Sequence, residues 1–358
     1  MRVHADSRAA LLFLAGIALL AAVAPLAALE LDQGKIKLTL AEDTGRFGLS
    51  YLNAAGTYVP FLSPQDLRTT TLSVVLNSTI FRMGDSAGFS LAAEKTPAGG
   101  RFVWKSDFLT LTENFSFITS AGASAADGIR MDITLKNTSR QDFTAGIRYL
   151  FDTWLGENGP VPFSTDKVSS INRETTLSGR SLPHYWVSPK TGDPEQIGLQ
   201  CMVTEDGVTQ PDKIVFANWK RLSDAAWTYS TSNARDFSLL PYSKNDSAVA
   251  QYYGPRPLAQ GTQFTVTIVL GKYNPAGFPA TTVASSGDFA RTVQQSLAAG
   301  KSAPGSPVAL HADLTTVDEI LSRVDAALAP GADISESDLS LMESAISDLR
   351  VRVSTYGK

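Results

Sequence analysis

Strict alternation of apolar and polar residues constrains the fold of this chain more than any other feature. In GIRMDITLKN, the apolar residues Ile129, Met131, Ile133 and Leu135 lie on one side of an extended backbone, and polar or charged residues alternate with them. Similar segments recur through the first three quarters of the chain, separated by turn sequences such as NAAG, PAGG and LAQG. Antiparallel sheets often bury one face and expose the other to solvent. We therefore expect a mainly β fold with a large antiparallel β-sandwich over 29–275.

The final part of the chain, residues 283–358, carries a helical pattern instead. In TVDEILSRVDAAL the apolar residues recur three and four apart, and Thr316 with Glu319 forms a capping box that predicts a helix start. A second such segment follows the turn sequence APGAD. These segments predict a C-terminal α-helical hairpin at 313–355, whose apolar stripes pack either on the chain's own sandwich or on a partner.

Residues 1–28 have the three-part layout of a secretory signal peptide. A segment with two arginines, MRVHADSR, precedes an uncharged apolar run of 16 residues, and the small-residue stretch PLAALE follows. The run is shorter than the roughly 20 residues that span a bilayer. We therefore expect cleavage near Ala27 or Ala28, a periplasmic or secreted bacterial protein, and no membrane span in the mature chain.

The composition is that of a globular protein without affinity for nucleic acid. The chain is 43% hydrophobic and 18% charged, and its net charge of −4 argues against the basic face that nucleic acid binding requires. The single cysteine, Cys201, can form no intrachain disulfide. It alternates with Leu199 and Val203 in IGLQCMVT, which predicts a small buried side chain on a strand.

Few residues could support metal or cofactor chemistry. The only histidines after the signal segment, His184 and His311, are far apart, so a zinc site would need them to converge with carboxylates. Asp152, Glu157 and Asn158 offer oxygen ligands for calcium, but without the alternating spacing of a dedicated calcium loop. Phosphate-binding loops and nucleophile elbows are absent from the sequence. We expect no metal and no cofactor.

The segment YLFDTWLGENGPVPFS, at 149–164, leaves two interpretations open. Asp152 at the end of a predicted strand favours a corner residue, whose carboxylate accepts hydrogen bonds and fixes the turn. Alternatively, Asp152 and Glu157 are a catalytic carboxylate pair of the kind that glycosidases use. The proline- and glycine-rich stretch 152–195 that begins here is predicted as a long loop.

Aromatic residues give the strongest functional indication. Aromatic faces stack on sugar rings and fill protein interfaces, because they combine a large area with a polar edge. Several occur in or near the loops at 152–195 and 216–230. The candidate ligand- or partner-binding residues are Trp154, Tyr185, Trp186, Trp219 and Trp227.

Two segments, GIRYLFDTWLGENGPVPFS and NDSAVAQYYGPRPLAQGTQFTVTIVLG, resemble uncharacterised exported bacterial β-sandwich proteins, which are similar to the supersandwich of the galactose-mutarotase type. The resemblance covers about residues 30–271 and implies a fold more than a function. Sugar mutarotases use a pair of histidines with a glutamate for proton transfer at the anomeric carbon. Since His184 is the one histidine of the β region, the resemblance implies a sandwich without that catalysis.

Together these features predict a non-enzymatic binding or scaffolding protein of the bacterial cell envelope, with an envelope protein as its partner. The alternative is a carbohydrate-binding or carbohydrate-processing protein that uses the aromatic side chains with Asp152 and Glu157. A cleft with both acids facing the aromatics would favour the carbohydrate alternative, and acids tied to backbone amides would favour the scaffold. Whether the protein is an enzyme therefore stays open, with a binding role the stronger expectation.

Overall fold

The computed structural model describes residues 28–278, 293–294, 297–298, 301, 306–327 and 336–353. The strands are β1 (Ala28–Gln33), β2 (Ile36–Ala41), β3 (Arg46–Leu52), β4 (Tyr58–Pro60), β5 (Thr71–Leu76), β6 (Thr79–Arg82), β7 (Ser90–Thr96), β8 (Gly99–Lys105), β9 (Leu109–Ile118), β10 (Gly128–Asn137), β11 (Phe143–Asp152), β12 (Ser164–Thr165), β13 (Thr175–Ser178), β14 (Tyr185–Pro189), β15 (Gly198–Met202), β16 (Lys213–Asn218), β17 (Ser247–Leu258) and β18 (Gln263–Lys272). The α-helices are α1 (Trp219–Asp224), α2 (Pro307–Ala327) and α3 (Glu336–Val353), and short 3-10 helices span Leu67–Thr69, Leu155–Asn158 and Gly179–Ser181.

The strands form three antiparallel sheets. The eight-stranded sheet has the order β12-β14-β15-β18-β10-β9-β8-β7, and the six-stranded sheet has the order β13-β16-β17-β11-β5-β6. The third sheet is a four-stranded meander with the order β1-β2-β3-β4. The predicted mainly β fold with large antiparallel sheets is therefore confirmed.

One apolar core joins the three sheets. Phe47 of β3 packs against Phe115 of β9, with ring centroids 5.2 Å apart, and against Tyr149 of β11 at 6.2 Å. The alternation predicted in β10 is confirmed, since its four apolar residues from Ile129 to Leu135 are fully buried. Burial of one face of each strand supplies the main driving force for this architecture.

The stretch 152–195 is more regular than expected. It contains β12, β13 and β14, and β14 pairs with β15 inside the eight-stranded sheet. The prediction of one long loop is wrong, because strands of two to five residues are too short to show a period in sequence. The six-residue helix α1, capped by the Asn218 side chain, was likewise not predicted.

The predicted helical hairpin is present with different bounds. Helix α2 begins at Pro307, so Thr316 lies inside it and its hydroxyl donates to Ala312 O at 3.0 Å. The capping box predicted at Thr316 is therefore wrong. Arg323 Nε donates to Asp338 Oδ2 at 3.0 Å near one end of the hairpin, and Arg352 contacts Asp313 near the other. These two pairs align α2 and α3 antiparallel.

The helical region has a small core of its own. Val293 and Leu297 pack with Ile320 of α2 and with Met342 and Ala345 of α3. Among the described residues, none of the helices is both long and apolar enough to cross a membrane. The predicted signal peptide lies outside the described residues, apart from Ala28 at the start of β1.

Candidate functional site

Three carboxylates meet where the six-stranded sheet ends. Asp152 is the last residue of β11 and lies opposite Ala248 of β17, and Asp246 immediately precedes β17. Glu157 lies in the 3-10 helix Leu155–Asn158, which follows β11. Carboxylate oxygens of Asp152, Glu157 and Asp246 come within 4.8 Å of one another. We call these residues the carboxylate cluster.

The backbone around the carboxylate cluster is held by specific hydrogen bonds. Ser247 N donates to Glu157 Oε1 at 3.1 Å, and Gly156 N donates to Ser188 Oγ at 3.0 Å. Asp152 N donates to Thr70 Oγ1 at 3.2 Å, and Ser63 N donates to the backbone oxygen of Asp152 at 3.0 Å. These contacts fix the turn after β11, as an acid at a corner does.

Burial dominates the electrostatics of the cluster. Desolvation, together with the charge of Asp246, raises the pKa of Asp152 to about 7. Desolvation and the charge of Asp152 raise the pKa of Glu157 to about 8. The pKa of Asp246 is also raised by burial. Like charges this close disfavour simultaneous ionisation, so the cluster either keeps protons near neutral pH or holds a cation.

The oxygen donors of the cluster are of the kind that calcium prefers, and three carboxylates could supply part of its coordination shell of roughly six to eight oxygens. Asp246 is a member of this cluster that was not predicted from the sequence. Asp152, Glu157 and Asp246 line none of the three cavities described below. The three carboxylates can therefore hold protons or contribute oxygens to a cation site.

Trp186 does not contribute to a surface. Its side chain is fully buried, and its ring packs edge-on to Phe163 and Phe216, with centroids 6.1 and 6.4 Å away. The prediction that Trp186 contacts a ligand or partner is therefore wrong, because its side chain is enclosed in the core. Its place in β14 points it into the core, and the face on which a strand residue lies depends on register.

The other three tryptophans named as candidates, Trp154, Trp219 and Trp227, are half-buried and mainly structural. Trp219 Nε1 donates to Thr69 O at 2.9 Å, which joins α1 to the 3-10 helix Leu67–Thr69. Trp227 packs edge-on to Tyr252, with centroids 5.8 Å apart. Trp154 packs against the main core. The structure does not bring these rings together into one aromatic platform.

Tyr185 lies in an open groove. A cavity of about 380 Å³ is lined by Tyr185, Gln196 and Tyr273, and an adjoining cavity of about 430 Å³ is lined by Gln196, Tyr273 and Lys272. The two tyrosine rings have centroids 6.0 Å apart and planes tilted by 56°. We call the two adjoining cavities the tyrosine groove.

The loop after β18 holds Tyr273 in place. Asn274 Nδ2 donates to Ser120 Oγ at 2.9 Å, which ties this loop to the loop between β9 and β10. Phe278 then packs on Gly271, where an added Cβ would come within 2.3 Å of its ring. A larger residue at Gly271 would displace Phe278 and the loop with it.

Polar side chains surround the tyrosine rings. Lys190 forms an ion pair with Asp193 at 2.8 Å on the wall of the smaller cavity. Gln196 and Lys272 make no side-chain hydrogen bond or ion pair with another described residue, so their polar ends remain available to a ligand. Desolvation raises the pKa of Tyr185 to about 12, so its hydroxyl is a neutral donor and acceptor.

Of the residues in the tyrosine groove, only Tyr185 was predicted from the sequence. Tyr273, Gln196 and Lys272 lie at strand ends or in turns with no local motif. Tyr273 comes next to Tyr185 only because β18 pairs with β15, which pairs with β14. The one sequence feature that could have indicated Tyr273 is its position directly after a long predicted strand.

A further cavity of about 460 Å³ lies between Phe81, Phe108 and Phe143. Phe89 packs edge-on to Phe81 and Phe108, at interplanar angles of 72° and 77°. Phe143 packs on Phe108 in the same manner. These phenylalanine rings therefore form an aromatic cluster beside the cavity.

Comparison with known proteins yields only a weak similarity. No family profile and no curated protein matches the sequence. Among solved structures, the chain is similar to a galactose mutarotase related enzyme from Lactobacillus acidophilus (8% identical, 69% of this chain and 98% of that chain, TM-score 0.41) and to a galactose mutarotase-like protein from Lactobacillus casei (11%, 69% and 100%, 0.40). It is also similar to an aldose epimerase homologue from C. elegans (7%, 69% and 99%, 0.39). The predicted weak resemblance is confirmed, and it concerns the fold alone.

Proposed function

We propose that this protein binds a saccharide in the tyrosine groove without converting it chemically. The observation that carries the proposal is the pair of tilted rings, Tyr185 and Tyr273, at the junction of two open cavities. Aromatic faces match the apolar faces of sugar rings, and their hydroxyls and neighbouring amides match the sugar hydroxyls.

The size of the groove suits an oligosaccharide. Its two cavities, of about 430 and 380 Å³, each fall in the range of small-molecule sites, which is roughly 300–1,000 Å³. Gln196 lines both cavities and presents an amide with donors and an acceptor. A ligand that spans the junction would contact both tyrosines and Gln196 at once.

The charge of the groove favours an acidic saccharide. Asp193 is paired with Lys190, and Asp127 accepts hydrogen bonds from Ser120 N and Ser120 Oγ. Lys272 has no such partner among the described residues. An unpaired ammonium group in a groove attracts a carboxylate or sulfate substituent.

Binding is proposed in place of catalysis because both carboxylates of the groove already have partners: Asp193 pairs with Lys190, and Asp127 accepts hydrogen bonds from Ser120. The carboxyl groups with pKa values raised to about 7 and 8 belong to Asp152 and Glu157, which lie outside the groove lining. General acid–base catalysis requires a proton donor or acceptor within hydrogen-bond reach of the substrate. The carboxylate cluster does not meet that condition for a ligand in the groove.

Titration calorimetry with oligogalacturonate and with a neutral malto-oligosaccharide of equal length tests the proposal. We expect measurable binding of the acidic probe and weaker binding of the neutral one. Tyr273→Ala should reduce the affinity at least about tenfold, since it removes a stacking face. Lys272→Gln should reduce only the preference for the acidic probe.

Tyr242→Ala is the matched control, because Tyr242 is 80% exposed and lies outside the groove lining. It should leave binding unchanged. A glycan array extends the test to other sugars. If no glycan binds, or if binding is indifferent to Tyr273→Ala, the saccharide proposal is wrong and the scaffold alternative takes its place.

We also propose that the chain is exported, with the three-part segment at 1–28 as support. Mass spectrometry of the protein recovered from a bacterial periplasm or medium should give a mature chain that begins next to Ala28. An uncut chain recovered from the cytoplasm would contradict export.

A further inference from the structure

Helix α2 carries a continuous apolar stripe on its exposed side. The stripe residues follow one another four, three, four and three positions apart, and each is 37–55% exposed. They are Leu310, Leu314, Val317, Leu321 and Val324. This is the 3.5-residue mean spacing of the core positions of a coiled coil, so the surface that fits it is another helix.

Helix α3 carries a matching stripe. Leu339 and Ile346 are seven residues apart and 45% and 38% exposed, and Val353 follows after another seven at 62%. Seven residues are two helical turns, so the three side chains lie nearly above one another. The α3 stripe therefore repeats with the same heptad period as the α2 stripe.

The two stripes lie on the same side of the hairpin. On each helix, a rotation of about 100° about the helix axis leads from the buried face to the stripe, and the direction of this rotation is the same for α2 and α3. The buried faces, which include Ile320 and Met342, pack against each other, and the helices run antiparallel. A common rotational sense on antiparallel helices places both stripes on one side.

We propose that two copies of this chain dimerise through these faces and form a four-helix bundle with two-fold symmetry. We call the eight stripe residues the hairpin face. Its exposed side chains offer roughly 700 Å² per copy, close to the ~800 Å² per partner of a standard interface. Two identical two-helix faces complete a four-helix bundle, and a two-fold axis closes the assembly without leaving an apolar face open.

Sedimentation velocity of the chain without residues 1–27, from about 1 to 100 µM, tests the dimer. The wild type should sediment as a dimer at the upper concentrations. The double variant Leu314→Glu with Leu321→Glu places two charges in the interface and should raise the dissociation constant at least about a hundredfold. Both positions are 55% exposed in one copy, so the fold of the monomer should be preserved.

Val351→Glu is the matched control. Val351 is 68% exposed, but it lies about 120° round α3 from Leu339 and so off the hairpin face. It should leave the dimer intact. Circular dichroism checks helicity, and Leu314→Gln repeats the test if the double variant loses it. A wild type that remains monomeric at 100 µM, or a double variant of native helicity that still dimerises, would overturn the proposal.

Discussion

The carboxylate cluster and the tyrosine groove differ in the property that points to a function. The cluster has shifted pKa values, whereas the groove has side chains that a ligand can reach. The cluster has the unusual protonation behaviour, with pKa values raised to about 7 at Asp152 and about 8 at Glu157, yet it lies outside the groove lining. The groove instead has two tyrosine rings, Tyr185 and Tyr273, that line cavities open to solvent. A perturbed pKa thus reports burial first, and access to a ligand must be shown separately.

The same contrast exists between two neighbours on one strand. Tyr185 and Trp186 are adjacent in β14 and face opposite sides of the eight-stranded sheet. Tyr185 lines the groove, whereas Trp186 is fully buried against Phe163 and Phe216. Substitution at each position should separate binding from stability.

Trp186→Ala should have the largest effect on stability. It removes a fully buried indole from the core and should lower the free energy of unfolding by about 3–5 kcal/mol. Tyr185→Ala, on the open side, should lower it by about 1 kcal/mol or less and should remove saccharide binding. Urea denaturation of both variants measures the difference. Equal destabilisation by the two would break the contrast between the faces of β14.

A buried carboxylate with cationic partners should behave oppositely to the carboxylate cluster. Glu174 is fully buried at its side chain and forms ion pairs with Arg221 at 2.9 Å and Arg235 at 2.8 Å, while Tyr229 donates to it at 2.7 Å. Glu174→Gln leaves the guanidinium groups without a counter-charge and should cost about 2–4 kcal/mol in urea denaturation. A loss below about 0.5 kcal/mol would show that solvent already satisfies both arginines.

Neutralising Glu157 should instead stabilise the protein at alkaline pH. The folded pKa of about 8 lies above the ordinary 4.5, so the stability that proton binding contributes is present at low pH and is lost as the pH rises towards 8. Glu157→Gln removes this loss and should gain about 1 kcal/mol relative to wild type between pH 7 and pH 8.5. Comparison with wild type cancels the contribution of Glu113, whose pKa burial also raises to about 8.

Glu205→Gln, at an exposed glutamate, is the control for this pH series and should follow the wild-type curve. Calcium distinguishes the two states of the cluster. If added calcium raises the melting temperature of the wild type at pH 8.5 and not that of Glu157→Gln, the cluster is a cation site. In that case the expected gain from Glu157→Gln should vanish when calcium is present.

The β architecture could be read from the sequence because its signal is local. The alternation of Ile129, Met131, Ile133 and Leu135 needs no partner strand to be recognised, and all four are buried as expected. The helical periodicity near the C-terminus could also be recognised in the sequence, but the bounds of the helices could not be predicted. Thr316 has the sequence of a cap and lies inside α2, because the helix continues back to Pro307.

One of the three residues of the carboxylate cluster and most of the tyrosine groove could not be predicted. Asp246 joins Asp152 only through the pairing of β11 with β17, and Tyr273 joins Tyr185 only through β15. Strand pairing depends on packing over the whole core, so the sequence around Asp246 or Tyr273 does not indicate which residue each will meet. The sequence by itself determined the mainly β architecture, the two C-terminal helices and the candidate residues Asp152, Glu157 and Tyr185. Register and burial decided which of the candidates meet, which are exposed and which, like Trp186, are enclosed in the core.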